Sequence, residues 1–216
     1  MTALEQDVPR GEAPSQDDDR QARWGRTQFD GFPVGRFLAA PPFFFTADHH
    51  PLWLTDLYRG RSLFLICSGP SFAKLPHKRL RQPGIMTMGV NNSARTFRPN
   101  LWVEVDSPWN FLRSIWRDPL IAKFAPLDAI HKPLFDSNTW KLSGETVADC
   151  PNVSYYKRNE RFNAKQFLTE DSMNWGNHSS WGGGRTVMLP AVRIAYLLGF
   201  RRLFLLGVDM DMRPDK

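Results

Sequence analysis

Ser179–Asp209 reads SSWGGGRTVMLPAVRIAYLLGFRRLFLLGVD, and the order of its parts decides the fold. Three glycines, Gly182, Gly183 and Gly184, run into an apolar helix pattern that Gly199 closes. Arg201 and Arg202 then lead into an apolar strand run, Leu203 to Val208, which ends at Asp209. Glycine at a helix entrance lets backbone N–H groups approach a ligand without a Cβ in the way. A helix N-terminus also favours anions through its unpaired N–H groups and its dipole. The segment therefore predicts a phosphate- or carboxylate-binding turn set into an α/β sheet. It is not a P-loop, because no Gly-Lys-Ser/Thr follows, and it is not a GxGxxG dinucleotide fingerprint.

Working outward, three earlier runs match that last strand. RSLFLICS at 61–68 is apolar throughout and stops at Gly69-Pro70-Ser71; GIMTMGV at 84–90 stops at Asn91-Asn92; LWVEV at 101–105 stops at Asp106-Ser107-Pro108. Continuous rather than alternating apolarity predicts strands buried on both faces, as in parallel sheets. Trp109 to Phe124 has helical spacing through Phe111, Leu112, Ile115, Trp116 and Ile121, although Pro119 limits its length. Short strands are predicted over 129–135 and 153–157, and a long polar active-site loop over 158–181. The expected class is α/β, a mostly parallel sheet with helices on both faces. Ligands in such sheets collect at the carboxyl ends of the strands, where this chain places Gly69–Ser71, Asn91–Asn92, Asp106 and Asp209.

Residues 1–28 are polar, with Asp17, Asp18 and Asp19 in a row, and predict a disordered leader. Residues 29–58 form an arm rich in aromatics and proline. The domain proper covers 59–216. The 216 residues carry 28 Lys and Arg against 22 Asp and Glu, a net charge of +6. Those cations are scattered, which points to anionic small molecules and away from a nucleic-acid partner. The densest group, Lys74, His77, Lys78, Arg79 and Arg81, reads as a solvated face. The adjacent His49 and His50 do not make a metal pair. Two cysteines, Cys67 and Cys150, imply no disulfide framework. No apolar run is long enough for a transmembrane segment and the first residues lack an h-region, so a cytoplasmic protein is the expectation.

The ordered set CSGPSF, GVNNSART, PNLWVEVDSP, the Ser/Gly turn and LGFRRLFLLGVDM resembles the MptE-like family, which holds hydroxymethylpterin diphosphokinases and motility-associated glycosyltransferases. Similar elements occur in bacterial sialyltransferases. The resemblance covers roughly residues 61–210 and implies a Rossmann-like, nucleotide-binding transferase domain. It implies that Gly69, Pro70 and Ser71 form the first nucleotide-side turn, and that Asn91 and Asn92 reach ribose or phosphates. Ser180, Gly182, Gly183, Gly184 and Thr186 would hold phosphates, and Asp209 would close the pocket. The glycine triplet departs from the family, whose turn has Thr or Ser and fewer glycines. Relatives continue past the position of Lys216, so the resemblance also implies a fragment or an unusually short member.

The function expected from this reading is a glycosyltransferase using a nucleotide sugar. Asp106, His178 and Arg185 are its candidate catalytic residues, with Arg185 beside the departing phosphate and His178 as acid or base. The alternative is diphosphoryl transfer from ATP, for which Mg²⁺ would need carboxylates; Asp106 and Asp209 are the candidates, with Asp211 nearby. A non-catalytic nucleotide-binding or assembly protein is the third reading, because a fold does not fix a function. The acceptor is not legible.

Overall fold

The computed structural model of the chain describes residues 43–156 and 186–209. The leader, the first part of the arm, the 158–181 loop and the triplet Gly182–Gly184 lie outside the described residues, as do His178, Ser180, Arg185 and Asp211.

Four strands expected from sequence are present and adjacent. They are β3 (Ser62–Ile66), β4 (Thr87–Val90), β5 (Leu101–Val103) and β10 (Arg202–Leu206), in the spatial order β10-β3-β4-β5, all parallel. Phe64 pairs with Phe204 on one side and with Thr87 on the other, and Gly89 pairs with Trp102. Every residue of β4 and β5 is buried, as continuous apolarity predicts. β10 departs from that expectation. It is the edge strand of the sheet, and its Phe204 and Leu205 are each 47% exposed.

The sheet continues beyond β5 through β6 (Ala122–Pro126) and β9 (Val153–Tyr156), both parallel, and then turns antiparallel through β1 (Phe44–Phe45) and β2 (Pro51–Leu52). The last residues of the aromatic arm thus enter the sheet. Phe44 is buried, lies 5.6 Å from Phe124 and pairs with Tyr156. A separate antiparallel hairpin, β7 (Pro133–Asp136) with β8 (Lys141–Thr146), is inserted between β6 and β9. Among the described residues the architecture is a mostly parallel, mixed eight-stranded sheet with few and short helices.

The helix expected over 109–124 is replaced by a single turn, α2 (Arg113–Trp116), followed by β6. Prolines explain the break. Pro108 opens a 3-10 turn, and Pro119 cannot continue a helix through Leu120. Four of the five apolar residues are nonetheless core: Phe111, Ile115, Trp116 and Ile121 are buried around Trp102, with Trp116 at 4.8 Å and edge-on, whereas Leu112 is exposed. β6 was invisible because Lys123 interrupts its apolar run. Lys123 is buried, and its ammonium donates to the carbonyls of Asp118 (2.6 Å), Ile121 (3.1 Å) and Pro151 (2.8 Å). Those three bonds supply what water would have given the charge.

The two remaining α-helices among the described residues are α1 (Ser93–Thr96), one turn, and α3 (Met188–Leu197). α3 buries Ala191, Ile194 and Ala195 and ends at Gly199, whose φ of +97° is the left-handed closure that glycine permits. Pro190 sits in its first turn, where a missing N–H costs little.

Candidate functional site

Parallel pairing brings the carboxyl ends of β10, β3, β4 and β5 to one edge. That edge carries Asp209, Gly69–Ser71, Asn91–Asn92 and Asp106, as the sequence implied. The strand order also reverses there. From β3 the chain steps outward through β4, β5, β6 and β9, then returns through α3 to the opposite side of β3. Ligands of open parallel sheets bind at such a reversal.

The loops are wired in two pairs. In the first, the Gly69 amide donates to the Gly207 carbonyl at 2.9 Å, and the Ser71 amide donates to Asp209 Oδ2 at 2.7 Å. Gly69 is required by contact rather than by backbone angle, since its φ of −67° and ψ of 147° suit any residue. A Cβ there would lie 2.4 Å from the Gly207 oxygen and 2.6 Å from Asp209 Oδ2. The crevice between β3 and β10 is therefore closed by backbone contact. The amides of Gly69 and Ser71 thus serve Gly207 and Asp209. Pro70 is exposed beside them.

In the second pair, Asn91 Nδ2 donates to Asp106 Oδ2 at 2.8 Å, and Asn91 Oδ1 accepts the Val105 amide at 3.3 Å. The Asn91 amide donates to the Val103 carbonyl at 2.9 Å, and its own carbonyl accepts Trp102 Nε1 at 2.8 Å. Its φ of +43° is left-handed, a conformation asparagine tolerates better than most residues. The side chain that was expected to reach ribose or phosphate is thus engaged with Asp106. Asn92, next to it, is exposed, as is Asp106.

Thr186 does not lie free at the helix entrance: its Oγ1 accepts the Met188 amide at 3.3 Å. Among the described residues no group of three or more His, Cys, Asp or Glu has metal-holding geometry.

Two further features of this edge concern groups at strand ends, the first of them missed by the sequence reading. Glu104 is fully buried at the end of β5, and its backbone carbonyl accepts the Tyr156 hydroxyl at 2.9 Å. Burial pushes the neighbouring Tyr155 phenol up, with Glu104 adding to the shift. Cys67, at the end of β3, also has its thiol pushed up by burial, which makes it a poor nucleophile. A glutamate inside the apolar run LWVEV was the one available signal for the first of these.

No protein-family model, no curated protein and no solved structure matches the chain significantly.

Proposed function

We propose that the chain is a transferase with a Rossmann-like domain, related to the MptE-like family, that binds a nucleotide-activated donor at the carboxyl edge of its sheet. The glycosyl version, with a nucleotide sugar, is the leading reading. The observation that supports it is the convergence of Asn92, Asp106 and Asp209, all exposed, on one edge of four adjacent parallel strands. Because the β3/β10 crevice is closed, the donor lies over the loops from β3 to β5. Asn92 and Asp106 face it, Asn91 holds Asp106, and Gly69 and Asp209 form the wall. The segment carrying His178, Ser180, Gly182–Gly184 and Arg185 supplies the phosphate contacts in this reading, as a glycine-rich approach to a helix favours.

Calorimetry with CMP, UDP, GDP and ATP, each with and without Mg²⁺, tests it. Metal-independent binding of CMP or UDP, weakened by Gly183→Val, supports the glycosyl version. ATP binding that requires Mg²⁺ and is abolished by Asp106→Asn supports diphosphoryl transfer instead. No binding by folded protein leaves the assembly reading.

A further inference from the structure

Between Leu57 and Val103 the chain has eight Lys and Arg and no Asp or Glu, so its other 20 Lys and Arg stand against all 22 acidic residues. The net charge of +6 is therefore a property of this one segment. The flanking acids reach only its first residues. Asp56 is engaged by Arg59 at 2.6 Å and Arg201 at 3.2 Å, and Glu104 is buried.

Half of these cations lie close together. After β3 come two 3-10 turns, Pro70–Lys74 and His77–Arg81, and Lys74, Lys78, Arg79 and Arg81 on them are all exposed. None of the four has a carboxylate partner within salt-bridge distance among the described residues. The turns are fixed from beneath by rings. His77 stacks on Phe72 at 4.3 Å and its Nε2–H donates to the Phe72 carbonyl at 2.8 Å; Phe72 meets Phe97 edge-on at 6.2 Å; and the Arg81 guanidinium lies 4.8 Å over Phe97. Phe97 follows α1, whose Arg95 is exposed as well. Like charges repel, so an unneutralised cluster held on a rigid platform is electrostatically costly in the free protein and is relieved by a polyanion.

We infer that this face docks on an anionic lipid surface. Two observations select lipid over nucleic acid. The aromatic rings are unavailable for stacking on bases, since Phe72 and Phe97 are each 3% exposed. Between the cations stand leucines instead: Leu75 is 37% exposed, and half-buried Leu80 packs on the Ile66, Phe72 and Phe97 cluster. Basic side chains around the partly exposed Leu75 match a headgroup layer with acyl chains below it. The first turn also contains Pro70 and Ser71, so docking would bring the carboxyl edge of the sheet close to the bilayer. The inference does not depend on the nucleotide reading.

Co-sedimentation of the full chain with phosphatidylcholine vesicles, with and without about 30 mol% phosphatidylglycerol, tests it. Binding is expected only with the anionic lipid, and it should fall as salt rises from about 0.1 to about 0.5 M. Each cation at the surface is worth about fivefold in partitioning. Lys74→Gln, Lys78→Gln and Arg79→Gln together should therefore weaken binding on the order of 100-fold. The charge-retaining set Lys74→Arg, Lys78→Arg and Arg79→Lys should bind like the wild type, and Leu75→Ser should weaken binding without altering its salt dependence. Equal binding to neutral vesicles, no effect of the glutamine set, or tighter binding to a duplex oligonucleotide than to anionic vesicles would each overturn the proposal.

Discussion

Gly69→Ala tests whether the β3 and β10 loops are held by direct backbone contact. The new methyl group would sit 2.4 Å from the Gly207 oxygen and 2.9 Å from the Gly207 carbonyl carbon. Neither is the flexible end of a side chain, so the loops themselves must part. Restoring an ordinary carbon–oxygen contact needs a shift of about 1 Å. A shift of that size carries the 2.9 Å Gly69–Gly207 bond beyond hydrogen-bond range and strains the 2.7 Å bond from Ser71 to Asp209. Losing a neutral bond costs about 1 kcal/mol and losing one to a carboxylate about 1.5–3 kcal/mol. Alanine recovers roughly 0.4–1 kcal/mol by restricting the unfolded chain, because the local φ and ψ suit it. The net loss is about 1.5–3 kcal/mol, which lowers Tm by roughly 5–10 °C in a domain of this size. Urea and thermal denaturation followed by circular dichroism measure it. A Tm within about 1 °C of wild type would mean that the loops are not in contact, and the closed β3/β10 crevice would have to be abandoned.

Substitutions at two further positions, Asn91 and Lys123, probe polar groups that the sequence disguised. Asn91→Gly removes the side-chain bonds to Asp106 and Val105 but keeps the left-handed backbone, and should cost about 1.5–3 kcal/mol. Asn91→Ala adds about 1 kcal/mol of backbone strain, so its urea midpoint should be the lower of the two; the reverse order would contradict the left-handed assignment. For Lys123, burial pulls the ammonium from its ordinary 10.5 down to about 8. Between those values the unfolded chain holds the proton more often than the folded one, so stability rises with pH across that window. Measured against Lys123→Met, the wild type should gain on the order of 2 kcal/mol from pH 8 to pH 10.5, and a loss over that range would refute the buried charge.

The legible parts of the fold were those where one physical signal dominates. β3, β4 and β5 are buried on both sides, and apolarity without alternation records that directly. The turn residues at their ends marked the edge where a site can form. What stayed hidden depended on partners far away in sequence. β6 looked like helix because Lys123 breaks its run, and the three carbonyls that receive this lysine come from residues as distant as Pro151. The pairing of Asn91 with Asp106 stayed hidden because nothing in GVNNSA shows the aspartate fifteen residues on. β10 was read as a buried strand because composition does not reveal which strand of a sheet ends at an edge.

The wiring of the edge also constrains how any ligand is held there. Asp209 is tied to the loop after β3, and Asp106 to the turn after β4. Each carboxylate thus has one oxygen anchored by a donor from a neighbouring strand. Anchoring fixes the direction of the carboxylate before a ligand arrives, and it removes rotamer entropy that binding would otherwise cost. Among the described residues no hydrogen bond crosses from the Gly69–Ser71 turn to the Asn91–Asn92 turn. The two pairs are therefore separate units, one from β10 and β3, the other from β4 and β5. A ligand spanning them would meet fixed carboxylates on both sides and the exposed Asn92 on one. The two acids follow non-adjacent strands, β10 and β5. Repulsion between them falls with separation, and each is neutralised in part by its own N–H donor.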